Sequence, residues 1–107
     1  MNKHLSISAS AEDRYDSTGA VSIDDRVFVS GVTGAGDTAD AQFRDAVARA
    51  EDALGELDCA KEDVVGTRVF CTDPSDHDAL GRAHGGAFGS VRPAMSLTQV
   101  HFLPDDG

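Results

Sequence analysis

The side chains able to do chemistry in this chain are few and scattered. Histidines stand at His4, His77, His84 and His101, thiols at Cys59 and Cys71, and the arginines include Arg68 and Arg92. His77 and His84 lie seven residues apart, on one helix face but two turns away from each other. That is about 10 Å of rise, too far for joint ligation of one metal ion. His77 reads as exposed and His84 as half-buried. Cys59 and Cys71 fall at no metal-ligand spacing and read as small core residues of a non-secreted domain. No Ser-His-Asp or Cys-His set emerges from spacing. Asp24-Asp25, Asp73 and Asp105-Asp106 sit at turns, where aspartate serves local hydrogen bonding. The loop Gly31-Val32-Thr33-Gly34-Ala35-Gly36 lies between a strand and a helix, the place where phosphate loops occur. Its spacing matches neither the dinucleotide fingerprint nor the Walker pattern, and it has no lysine, so it reads as a plain turn.

The elements that must position these residues follow from hydrophobic period. Leu5-Ser6-Ile7 is a short edge strand in an otherwise weakly patterned segment, residues 1–16. Ala20-Val21-Ser22-Ile23 and Arg26 to Gly31 read as a hairpin turned at Asp24-Asp25. Asp37 or Thr38 caps a helix whose Phe43, Val47, Ala50, Leu54 and Leu57 repeat at spacings of three and four. Asp40 with Arg44, and Asp45 with Arg49, are i,i+4 pairs on its solvated face. Val64 to Thr72 reads as a strand, with Thr67, Val69 and Cys71 on one side and Arg68, Phe70 and Thr72 on the other. Asp73-Pro74-Ser75-Asp76 stops it and opens a second helix running to Phe88. Gly81, Gly85 and Gly86 weaken that helix by about 1 kcal/mol each relative to alanine. Arg92-Pro93 breaks the chain, and Met95 to Leu103 is the last strand. The order β-β-α-β-α-β predicts an α+β domain with two helices on one face of a mixed sheet.

Composition sets the bounds. A chain of 107 residues is one domain. Nineteen acidic residues face nine basic ones, for a net charge of −10. Such self-repulsion weakens a compact state in dilute salt and is screened within about 3 Å at 1 M, so a high-salt cytoplasm is expected. The same charge opposes nucleic acid as a partner, because phosphates are bound by Lys and Arg. No apolar run is long enough to span a bilayer and no secretory h-region follows Met1, so a soluble, cytoplasmic protein without a membrane partner is expected.

The run Arg92-Pro93-Ala94-Met95-Ser96-Leu97-Thr98-Gln99-Val100-His101, continued by Phe102-Leu103-Pro104, carries a resemblance. Together with Val27-Phe28-Val29-Ser30-Gly31, Gln42 at the opening of the first helix, Val64-Val65, Leu80-Gly81-Arg82-Ala83-His84 and Phe88, it resembles the RidA (YjgF) family, the reactive-intermediate deaminases. The likeness covers about residues 17 to 104 and rests on order and spacing rather than on any one motif. It implies a chorismate-mutase-like α+β subunit, a homotrimer whose sheets form an inner barrel, and three ligand clefts between subunits. Active members hydrolyse imines and enamines derived from amino acids, without metal or organic cofactor. An arginine grips the substrate carboxylate and a late glutamate positions water.

Three departures qualify what the resemblance implies. Met95 stands where the family's Pro-Ala-Arg triplet has its arginine, and a thioether has no donor fork for a carboxylate. A charge-assisted hydrogen bond contributes about 1.5–3 kcal/mol, so the substitution weakens carboxylate binding by about tenfold to a hundredfold. Gly81 stands where many members have an asparagine. The glutamate strand would follow Leu103-Pro104, where this sequence has Asp105-Asp106-Gly107, so the family's last strand is expected to be missing. The expected ligand cleft is therefore formed by Ser30, Gly31, Gly81, Met95 and Leu97, with no catalytic residue assigned. The expected function is binding of a small metabolite between subunits, without standard imine deamination. The alternative is a divergent deaminase anchored by Arg92 or Arg68. RNA cleavage, an activity attributed to the family, fits poorly with the net charge.

Overall fold

The computed structural model describes residues 3–5 and 19–103. Strand β1 (Lys3–Leu5) pairs antiparallel with β2 (Ala20–Ile23), which pairs antiparallel with β3 (Arg26–Val29). The edge strand thus includes Leu5 but begins two residues earlier than expected; Ser6 and Ile7 lie outside the described residues. Asp24 and Asp25 form the hairpin turn, with Asp24 at φ 54. Left-handed backbone of this kind is tolerated by Asp through local hydrogen bonding. In the hairpin register Ala20 faces Val29 and Ser22 faces Val27. Ala20 is buried with Ala53 and Leu57, and Val27 and Val29 pack against that cluster. Phe28 lies on the opposite face and is exposed.

Helix α1 (Ala39–Glu56) begins at Thr38, whose hydroxyl accepts from the Ala41 N–H at 3.3 Å. Of the two expected caps, Thr38 is therefore the one used. The ion pairs Arg44–Asp40 (3.2 Å) and Arg49–Asp45 (3.5 Å) form as the i,i+4 spacing predicts. The deepest residue of the helix is Ala53, which the stripe of larger apolar residues overlooks. A small side chain sits there because the helix approaches the hairpin closely.

Strand β4 (Gly66–Cys71) leads through the turn Pro74–Asp76 into helix α2 (His77–Phe88), and β5 (Ala94–Gln99) returns parallel to β4. A helix crossover is what a parallel pair requires. The Asp73 carboxylate accepts from the Ser75 N–H at 2.9 Å and fixes the turn. Leu80, His84 and Phe88 are the buried side of α2 and Cys71 that of β4. The last strand is shorter than expected, ending at Gln99 rather than Leu103. Its neighbour stops at Cys71, where Asp73-Pro74 diverts the chain. Past Gln99, the Val100 N–H still donates to the Cys71 carbonyl at 2.8 Å.

The architecture is α+β, with two helices over a mixed set of strands. The strands divide into an antiparallel group, β1-β2-β3, and the parallel pair β4-β5. Helix α1 packs on β3 and on α2. The strand faces turned away from the helices expose Phe28 and Phe70.

Candidate functional site

Two clefts flank the carboxyl end of α2 and the start of β5. After Phe88 the chain makes a short 3-10 turn, Gly89–Val91, and Arg92 takes a left-handed backbone at φ 51 and ψ 57. A non-glycine residue there costs roughly 1–2 kcal/mol. Pro93 then fixes the entry to β5. The result is a ridge at Arg92-Pro93 with a shallow cleft on each side, of about 510 and 560 Å³.

The smaller cleft is walled by Val64, Val65, Val91 and Glu62. The larger lies between α2 and β5, with Met95, Phe88, His84 and Gly85 in its wall. The register explains why Met95 reaches it. Thr67 pairs with Met95 and Val69 with Leu97, so these four side chains share one side of the β4-β5 pair. That side faces α2, because the Thr67 hydroxyl is 2.8 Å from His84 Nε2. Met95 is 37% exposed and Leu97 is half-buried.

His84 is the buried polar residue of this region, 7% exposed, and so lies deeper than expected. Its ring packs 4.6 Å from Phe88 and 6.0 Å from Phe43, centroid to centroid. Burial lowers its pKa below the usual 6.5, which favours the neutral imidazole. Thr67 satisfies Nε2, so the ring bridges helix and strand as a hydrogen-bonded core histidine. His77, expected to be exposed, is half-buried, and its Nε2 has no partner among the described residues. Burial, with smaller contributions from Asp76 and Asp73, raises the Cys71 thiol above 9.0; it is a core thiol, as its spacing suggested. Among the described residues no cluster of three or more His, Cys, Asp or Glu is arranged to hold a metal ion. No helix among them is long and apolar enough to cross a membrane.

Of the other candidate positions, Ser30, Gly31, Gly81 and Arg68 border neither cleft. Ser30 and Gly31 are exposed at the end of β3, in the other group of strands. Gly81 is exposed on α2, one turn before Gly85, with open space above it. Arg68 is exposed on β4 and points away from α2 with Phe70. Arg92 borders both clefts and has no ion-pair or hydrogen-bond partner among the described residues. Arg44, Arg49, Lys61 and Arg82 are all paired with carboxylates. The cleft at Gly85 was invisible in the sequence; three glycines in one helix were its only trace.

The glycine loop is a turn, held tightly. Gln42 Nε2 donates to the Gly36 carbonyl at 2.9 Å, and the Asp45 carboxylate accepts from the Ala35 N–H at 2.8 Å. Arg49 donates to the Thr33 carbonyl at 3.3 Å. Asp45 and Arg49 therefore do more than solvate the helix: they pin this loop to it.

Two helices on one side of a mixed set of strands define the α+β class of this fold. The family described as Endoribonuclease L-PSP matches residues 6–107. The chain is 38% identical to Rv2704 of Mycobacterium tuberculosis, a YjgF/YER057c/UK114 family member, with a TM-score of 0.93 over 97% of this chain and 88% of that one. It is 37% identical to the Streptomyces coelicolor protein SCO2049 over 88% of this chain and 75% of that one. The YjgF family member NMB1025 of Neisseria meningitidis, 18% identical with a TM-score of 0.84 over 99% of this chain and 86% of that one, shares the fold. The chain belongs to the RidA/YjgF family.

Proposed function

We propose that this chain is a cytoplasmic homotrimer subunit that binds a small metabolite in clefts between subunits, without standard imine deamination. The observation that carries the reading is Met95. It sits in the wall of an open cleft at the position that resembles the family's arginine, and it offers a thioether where a carboxylate would need a cation. Two further features support assembly. Ser30 and Gly31 border no cleft with Met95 in one subunit, so completing the set calls for a neighbour. Phe28 and Phe70, 54% and 48% exposed on bare strand faces, are the kind of apolar surface that partners cover. A net charge of −10 makes assembly in molar salt the natural condition, and it opposes the RNA cleavage implied by the matched family's description.

The test is hydrolysis of 2-aminoacrylate-derived imines, which consumes water and releases ammonia and a keto acid. Little or no turnover by the wild type is expected, together with a ligand recovered from the purified protein. Turnover comparable to active family members would overturn the binding-only reading. A monomeric mass in molar salt would overturn the trimer. The second reading, a divergent deaminase, is favoured by one observation: Arg92 is an unpaired cation bordering the same cleft as Met95. It predicts turnover that Arg92→Gln removes and that Met95→Arg raises.

A further inference from the structure

The cleft between α2 and β5 has a definite chemical character. Its cation is Arg92, and none of its lining residues is acidic, in a chain with nineteen carboxylates. Like Arg26 and Arg68, Arg92 has no ion-pair partner among the described residues, whereas Arg44, Arg49 and Arg82 are each tied to an aspartate; of the three, Arg92 is the one that borders this cleft. The rest of the wall is soft and largely flat: the Phe88 and His84 rings, the Pro93 ring and the Met95 thioether. Sulfur and guanidinium both favour aromatic partners, and Phe88 and His84 already form a tilted ring pair. The floor is open at Gly85, where an added Cβ would meet nothing within 4 Å.

His84 adds a second polar feature. Thr67 occupies Nε2, while Nδ1 has no hydrogen bond among the described residues. The buried ring is held in place by its two aromatic neighbours and by the strand. It is therefore a fixed, neutral wall rather than a second charge.

We infer that this cleft takes a planar aromatic monoanion, its ring lying over Gly85 against Phe88 and Met95 and its anionic group held by Arg92. The inference deepens the metabolite-binding reading and rests on it. It moves the anion partner from position 95 to position 92, and it makes Gly85 the residue that sets ligand size. Arg92 takes its left-handed backbone immediately before Pro93 and borders the cleft from there.

The experiment is an NMR titration of the full chain in molar salt, reading the amides of Gly85 and Gly89 and the ring protons of His84. The probes are nicotinate, nicotinamide and cyclohexanecarboxylate. Nicotinate is expected to shift these resonances, nicotinamide to bind at least tenfold more weakly for want of charge, and cyclohexanecarboxylate severalfold more weakly for want of a flat ring. Arg92→Gln should weaken nicotinate about tenfold or more, Arg92→Lys less, and Gly85→Leu should abolish binding while the fold is kept. Both positions are exposed, so these variants should fold, which their amide spectra check directly. Equal affinity for nicotinate and nicotinamide, unchanged binding by Arg92→Gln, or no shift at Gly85 would each overturn the inference. Such a failure leaves the metabolite-binding reading to its own test, because imine turnover and ligand recovery are measured there on the wild-type chain.

Discussion

Two regions of the molecule treat their polar groups in opposite ways. Around the start of α1, Thr38 caps the helix, Asp45 and Gln42 hold the glycine loop, and Arg49 reaches the Thr33 carbonyl while paired with Asp45. Around the end of α2, Arg92 is unpaired and the helix is thinned by glycines that border open space. From sequence the first region read as a plain turn and the second as a helix weakened by glycine. Glycine is the same residue in both, and its neighbours decide its meaning. At Gly34 it admits a close backbone approach, and at Gly85 it leaves room.

The sharpest way to break this contrast is the same substitution in both regions. A Cβ at Gly34 would stand 1.8 Å from the Gln42 carbonyl oxygen, backbone that cannot move without shifting α1. Gly34→Ala is expected to destabilise the fold by about 3 kcal/mol or more, read as a lower midpoint in urea. A variant of unchanged midpoint would mean that the loop is not pinned.

The α2 end should respond with the opposite sign. Gly85→Ala meets nothing within 4 Å and gains helix propensity, so a stabilisation of about 1 kcal/mol is expected in the same measurement. A destabilised Gly85→Ala would show that something in the assembled protein already fills this space.

How much of this was legible in advance follows from range. The Thr38 cap, the Asp40–Arg44 and Asp45–Arg49 pairs and the Asp73-Pro74 stop depend on residues within four positions of each other, and they stand where the sequence pattern put them. The faces of β4 were equally readable, because strand period is local. The early end of β5 was not, since it depends on where β4, more than twenty residues earlier, loses its partner. The depth of His84 was missed for the same reason: Phe43, on another helix, and Thr67, on a strand, enclose it. Met95 and Leu97 share one face of β5 because strand period is two, while the cleft beside them arises from glycines, whose signal is what they lack.

His84 supplies the smallest and most specific test of the α2 end. Its folded pKa lies below the unfolded value near 6.5, because burial penalises the charged ring. The unfolded chain therefore binds the extra proton first as pH falls. Stability is greatest above about 6.5 and declines from there down to the folded pKa, below which this group adds no further slope. The lowered Asp40 and Asp73 carboxyls act in the same direction, but only below their ordinary 3.8, so the two windows separate. Urea midpoints followed from pH 8 to pH 5 should fall in the wild type and flatten in His84→Gln, which keeps a polar group near Thr67 but cannot titrate. An unchanged slope in that variant would place the titrating group elsewhere and leave the neutral wall of the cleft without its evident cause.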